Sequence, residues 1–223
     1  MQGIVFDLDG TLVDSVYEHV LAWREALDGE GIELSVWRIH RKVGMSGGML
    51  ANALLRETGR DVTTRQAERL NRSHAEAYIR RSDRVRALPG APELLTLLTE
   101  LSVPWAIATS GSRATAGPAI ASLGVPEDVP VVTRDEVSRA KPDPDLFLAA
   151  ADRLRLEMND VVVVGDSVWD LLAAQRARAL GVGLLSGGYG EEELDHAGAY
   201  RVYEDPADLL RHLDEIGVRL PST

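Results

Sequence analysis

The chain has 223 residues, 45% of them apolar and none of them cysteine, which leaves room for a packed core with an inserted module and excludes disulfide and thiol chemistry. Its formal charge of −11 opposes nucleic acid and anionic membrane as partners, and no apolar run approaches the ~20 residues of a membrane span. The opening MQGIVFDLDG carries acids where a secretory leader would be basic and then apolar, so a cytoplasmic protein, a monomer or weak dimer, is expected.

Along the chain, residues 3–8 form a short apolar run ending in acids, the pattern of a buried strand. Residues 16–86 then show helical periodicity and no strand pattern; Ala67, Leu70, His74, Ala77 and Tyr78 share one helix face. This segment holds 13 basic and 10 acidic side chains, whereas the rest of the chain holds 11 basic and 25 acidic. It reads as an all-helical module entered near Asp14-Ser15 and left through Ala87-Leu88-Pro89-Gly90, a turn-rich hinge. Trp23 and Trp37 read as its core. Further strand patterns follow at residues 103–109, 129–132, 161–164, 182–185 and 199–203, with helical patterns at 93–101, 114–123, 144–154, 168–180 and 205–215 between and after them. Strictly alternating strands and helices predict an α/β fold, a Rossmann-like doubly wound parallel sheet. The near-continuous valine of 161–164 suits a strand covered on both faces. The expected organisation is a core of residues 1–15 and 87–223 with residues 16–86 inserted. Asp143-Pro144 reads as a helix N-cap, and Pro221-Ser222-Thr223 as a frayed tail.

Polar residues cluster at strand ends: Asp7 and Asp9 after the first strand, Thr109-Ser110-Gly111 after the second, Lys141 beyond the third, Asp166 after the fourth, and Asp170 one helical turn later. The carboxyl ends of parallel strands share one edge of the sheet, so these distant residues converge there. Neighbouring carboxylates need raised pKa values or a cation, and an oxygen-only set favours a hard ion such as Mg²⁺ paired with a phosphate. Lys141 and Lys42 are the only lysines, against 22 arginines. Lys141 supplies a point charge for Asp7 or for phosphate oxygens, Thr109 a hydroxyl donor, and the amides of Ser110 and Gly111, just ahead of a helix, an anion site.

DLDGTLVDS, ATSGS, KPDPDLF and VVGDSVWD resemble, in order, the four motifs of the haloacid dehalogenase superfamily, and the insert resembles the cap of its phosphoglycolate phosphatase and β-phosphoglucomutase branch. The resemblance implies Asp7 as a nucleophile that forms an aspartyl-phosphate, and Asp9 as general acid and base. It implies phosphate binding by Thr109 and stabilisation of Asp7 and the transferring group by Lys141. Mg²⁺ would be held by Asp7, the backbone carbonyl of Asp9, and Asp166, with Asp170 supporting them. In the cap, His19 stands where the branch often has a histidine facing the site, and Gly44 lies in the loop 41–48 that touches substrate. The substrate implied is a small phosphorylated metabolite. Asp9 argues against a dehalogenase, which lacks an acid at that position. A phosphomutase typically has a cap arginine where this chain has Gly47, leaving Arg41 or Lys42 to replace it in that alternative reading. A catalytically silent binding protein on the same fold would usually have lost an acid or the lysine, and none is lost here.

Overall fold

The computed structural model describes residues 2–59 and 63–218; the tail expected to fray lies outside them. In chain order, β1 (Gly3–Phe6) and β2 (Val13–Asp14) precede four helices, α1 (Val16–Gly29), α2 (Val36–His40), α3 (Gly47–Glu57) and α4 (Thr64–Ile79). β3 (Arg86–Ala87) and α5 (Ala91–Glu100) follow, then β4 (Trp105–Thr109), α6 (Arg113–Ser122), β5 (Val131–Thr133) and α7 (Asp145–Leu154). The chain closes with β6 (Val161–Gly165), α8 (Val168–Ala177), β7 (Leu180–Leu184), α9 (Glu191–His196), β8 (Ala199–Tyr203) and α10 (Pro206–Arg211). No helix among the described residues is long and apolar enough to cross a membrane.

Six strands form one sheet in the order β5-β4-β1-β6-β7-β8, with every pairing parallel. Alternation of side chains across the strands builds two apolar layers. Ile4, Phe6, Val162 and Val164 face one way, against Leu94, Leu95 and Leu98 of α5 and Ala116 and Ala119 of α6. Val5, Val161 and Val163 face the other, against Phe147 and Ala150 of α7 and Ala173 and Ala174 of α8. The valine run of β6 thus feeds both layers, which is why it shows no polar alternation. Helices α1 to α4 gather a separate apolar cluster around Val20, Trp23, Leu27, Ile39, Leu54 and Leu70.

Several boundaries differ from the sequence pattern for identifiable reasons. β1 stops at Phe6 because Leu8 turns the chain: its carbonyl accepts from the amides of Thr11, Leu12 and Val13, with Gly10 at φ 84°. The helix beginning at Val168 ends at Ala177, where Arg178 adopts φ 64°, and the residues beyond enter β7. The last helical pattern breaks at His212 into α10 and a 3₁₀ turn at Leu213–Ile216. Asp143 does not cap α7. Pro144 holds the N-cap position without a side-chain bond, and Asp145 accepts from the Arg139 amide at 3.2 Å instead. β2 and β3 form a two-stranded antiparallel neck whose second strand begins at Arg86, inside the segment read as all-helical. Strands of two residues leave no periodicity to read. Trp37 is not core: it is 63% exposed and carries the Arg38 guanidinium 5.0 Å from its ring centroid.

The separate cluster of α1 to α4 has a testable consequence. Leu54 is fully buried there, and Leu54→Ala is expected to cost about 2–5 kcal/mol locally. Hydrogen exchange should quicken across α1–α4 and leave β1, β4 and β6 protected; equal loss in the sheet would show that the two layers and this cluster melt as one.

Candidate active site

The turn after β1 sets the first two acids. The amide of Asp7 still donates to the Val164 carbonyl at 2.9 Å, so its carboxyl sits over the carboxyl edge of the sheet, almost wholly buried. Gly10 lets the chain turn against Asp166: a Cβ there would lie 2.5 Å from Asp166 Oδ2, and one on Gly187 would lie 1.8 Å from the same atom. Thr11 Oγ1 donates to Asp166 Oδ1 at 3.0 Å, and Ser186 Oγ donates to the Gly10 carbonyl at 2.6 Å. At the end of β4, Thr109 Oγ1 accepts from the Gly111 amide at 2.9 Å, while Ser112, not Thr109 or Ser110, caps α6.

Lys141 is 1% exposed, and its ammonium is ion-paired with Asp7 Oδ1 and, at 2.7 Å, with Asp170 Oδ1. Asp170 is fixed in turn: its other oxygen accepts from the Ser167 amide at 3.1 Å and from the Ser167 hydroxyl, a reciprocal cap on α8. Asp170 therefore caps a helix and holds the lysine at once.

Asp7, Asp166 and Asp170 each bring a carboxylate oxygen within 4.8 Å of one another. Burial, then the charge of Asp170, raises the Asp7 and Asp166 carboxyls above their usual range, and Lys141 only partly offsets this. Burial opposes the charge on Lys141, yet Asp170 and Asp7 hold its pKa above the usual lysine value. Three buried acids against one ammonium leave an excess of negative charge, and Asp7 Oδ1 lies beside Lys141 without receiving an aligned hydrogen bond. Such a set fits a hard divalent ion. Asp170, committed to Lys141 and Ser167, is the least available of the three.

The carboxyl of Asp9 points away from this cluster. Its Oδ1 accepts from Ser15 Oγ at 2.7 Å and from His19 Nε2 at 3.2 Å, and its Oδ2 accepts from Thr109 Oγ1 at 3.4 Å. Burial works to raise its pKa, but His19 and Ser15 prevail and bring it to about 2. His19 also shares a hydrogen bond with His74 at 3.1 Å and stacks on Tyr78 at 3.7 Å between centroids. Burial, then the neighbouring His19, pushes His74 well below the usual imidazole value, which keeps it neutral.

Asp7, Asp9, Thr109, Ser110, Gly111 and Lys141 line one cleft together with His19 and Gly44. Asp166 and Asp170 are not among its lining residues and stand next to the Asp7 carboxylate. The loop 41–48 closes the top: the Gly44 carbonyl accepts from Ser110 Oγ at 3.2 Å, and the Ser46 amide donates to the Lys141 carbonyl at 3.1 Å. Arg41 and Lys42 do not replace a cationic side chain at position 47. Arg41 pairs with Glu193 and Lys42 with Glu57 at 3.3 Å, and neither lines the cleft. Sequence reasoning gave no site role to Thr11, Ser15, Asn71 or Arg134, and read His74 only as part of a helix face. Thr11 and Ser15 stand inside the first motif, where a hydroxyl beside each acid was a usable signal. Asn71 and Arg134 had none.

The sequence matches the haloacid dehalogenase-like hydrolases over residues 1–178, and the chain belongs to that family. It is 35% identical to hexitol phosphatase A of Escherichia coli (strain K12) over 79% of each chain. It is 31% identical to a phosphoglycolate phosphatase of Rhodospirillum rubrum over 93% of this chain and 89% of that one. Its fold superimposes on the crystal structure of a hydrolase from Pseudomonas syringae with a TM-score of 0.95 and 55% identity, covering 98% of this chain and all of the other. Within the family the chain is a phosphoric monoester hydrolase.

The acid cluster predicts a pH trend. A carboxyl raised in the fold binds its proton more tightly there than in the unfolded chain, so stability falls as pH rises through that range. Removing the titrating group removes that fall. In metal-free protein the melting temperature of Asp7→Asn relative to the parent is expected to rise between about pH 5 and about pH 8. A difference that does not change with pH, measured by scanning calorimetry, would show Asp7 to be an ordinary carboxylate.

Proposed function

We propose that the protein hydrolyses a small phosphate monoester with Mg²⁺ through a phosphoryl group carried on Asp7. The observation behind this reading is the Asp7–Lys141–Asp170 ion-pair chain at the foot of a cleft whose wall also carries Asp9 and the Thr109–Gly111 turn. Asp7 and Asp166, with the Asp9 carbonyl, would hold the ion, which when bound supplies positive charge to the phosphoryl oxygens. The Thr109 hydroxyl and the amides at the start of α6 orient the remaining oxygens, and Lys141 offsets charge on Asp7 and on the group in flight. Asp7 attacks phosphorus and the ester oxygen leaves, taking a proton from the Asp9–His19 pair. Asp9, held ionised by His19 and Ser15, draws a proton from the water that cleaves the aspartyl-phosphate, which restores the proton given up by the pair, and inorganic phosphate departs.

Residues 16–86 act as a cap on this reading. They meet the core through Ser46–Lys141, Ser110–Gly44 and the bond between His40 Nε2 and the Gly187 carbonyl at 2.8 Å. That arrangement keeps bulk water from the aspartyl-phosphate, and the β2–β3 neck is the natural pivot for admitting substrate.

Two measurements test the scheme. Asp7→Asn should lose more than about a thousandfold in kcat, and a variant within tenfold of the parent would end the covalent route. Mg²⁺ should raise the melting temperature of the parent, and Asp166→Ala should abolish that rise while melting no lower than the parent without metal, because it relieves repulsion. An Mg²⁺-induced rise that survives in Asp166→Ala would place the ion elsewhere. Substrate range is read from inorganic phosphate released across sugar, polyol and hydroxy-acid phosphates, compared as kcat/KM.

A further inference from the structure

We propose that Arg134 anchors a second anionic group at the far end of the substrate, so that the preferred esters are phosphates of small molecules carrying a carboxylate or another phosphate. This deepens the phosphatase reading and rests on it. β5 pairs with β4 so that Thr133 stands opposite Thr109, and Arg134 is the next residue. The Arg134 amide donates to the Gly111 carbonyl at 3.0 Å, which ties its backbone to the turn assigned to the reacting phosphate.

The Arg134 side chain lines the same cleft as Asp7 and Lys141. Its Nη1 lies 3.7 Å from the place a Cβ on Gly47 would take, so the guanidinium stands against the cap loop where the loop has no side chain. Asn71 shares this corner. Its Nδ2 is spent on the Ala67 carbonyl at 2.9 Å, while its Oδ1 lies 2.6 Å from that same Cβ position, free to accept from a substrate hydroxyl.

Charge makes Arg134 distinctive. Lys141 and Arg134 are the lysine and arginine of the cleft lining, and Lys141 is neutralised by two carboxylates. Among the described residues Arg134 has only its chain neighbour Asp135, 3.6 Å away and close to half exposed, a pair worth about 0–1 kcal/mol. The acid next along, Glu136, is taken by Arg153 and Thr133. Most of the guanidinium fork is therefore available, and its planar donors match a carboxylate or phosphate edge. Because Arg134 belongs to the same rigid sheet edge as Thr109 and Gly111, the spacing between the two anion sites does not depend on where the cap sits. Arg134 thus selects for substrate length.

The test uses the phosphates of glycolate, 3-hydroxypropanoate and 4-hydroxybutanoate, the bisphosphates of the diols of equal length, and the neutral diol monophosphates as references. The parent should favour one length of anionic ester by KM. Arg134→Gln should raise KM for it by about tenfold or more, leave kcat within about twofold, and leave the neutral esters unmoved. Arg134→Lys should recover part of the loss. Which anionic series responds separates carboxylate from phosphate. An equal effect on neutral and anionic esters, or none on either, would overturn the proposal. Should no ester turn over, the phosphatase reading itself fails. Calorimetric titration of the same esters into Asp7→Asn and Asp7→Asn/Arg134→Gln then still decides: loss of anionic-ester binding in the double variant supports Arg134, and unchanged binding refutes it.

Discussion

A single ammonium group, that of Lys141, holds together charges that would otherwise not share one buried site. It sits between Asp7 and Asp170 with almost no contact with water. Desolvation alone would discharge all three groups, and their mutual attraction opposes this. Asp170 keeps its place because Ser167 and the first turn of α8 hold its second oxygen. The helix that follows β6 thus positions the lysine, and the lysine positions the acid at the end of β1. Three elements far apart in sequence are locked by one chain of contacts, which accounts for the full burial of a residue as costly to bury as lysine.

The parallel α/β architecture was readable because β1, β4 and β6 are short apolar runs with acids, hydroxyls or glycine at their ends, and because helical periodicity separates them. Convergence of Asp7, Thr109, Lys141 and Asp166 followed from the sheet's polarity alone. The direction of the Asp9 carboxyl did not, because it depends on His19 and Ser15, which reach it from the first helix of the insert. The β2–β3 neck was invisible since two residues carry no period. Trp37 misled because an aromatic on an amphipathic segment reads as core, whereas here a cation covers its exposed face. Arg134 lies in a 3₁₀ turn capped by Thr133 and Glu136, outside the four catalytic motifs, and the pairing of β4 with β5 brings it to the cleft.

The insert brings its own apolar cluster, but Ala22, Ala77 and Tyr78 of its helices belong to the apolar cluster of the core, and polar contacts join the two elsewhere. Hydrogen bonds to main-chain carbonyls at Gly187, Lys141 and Gly44, and the Arg41–Glu193 pair, are worth little individually against water. The fourfold aromatic stack of Trp23, His74, His19 and Tyr78 carries the insert's packing to the carboxyl of Asp9.

The crowding of Gly10 and Gly187 against Asp166 divides the glycines of this chain for anyone seeking a hardier enzyme. At those two positions even a methyl group would collide with the carboxyl that the site depends on. Gly48 and Gly117 are different: both lie within helices, α3 and α6, and nothing stands within 4 Å of the methyl group that alanine would add. Each leaves the unfolded chain more freedom than alanine would, at about 0.5–1 kcal/mol. Thermal robustness can therefore be raised at the surface of α3 and α6 while the backbone around Asp166 is left as it stands.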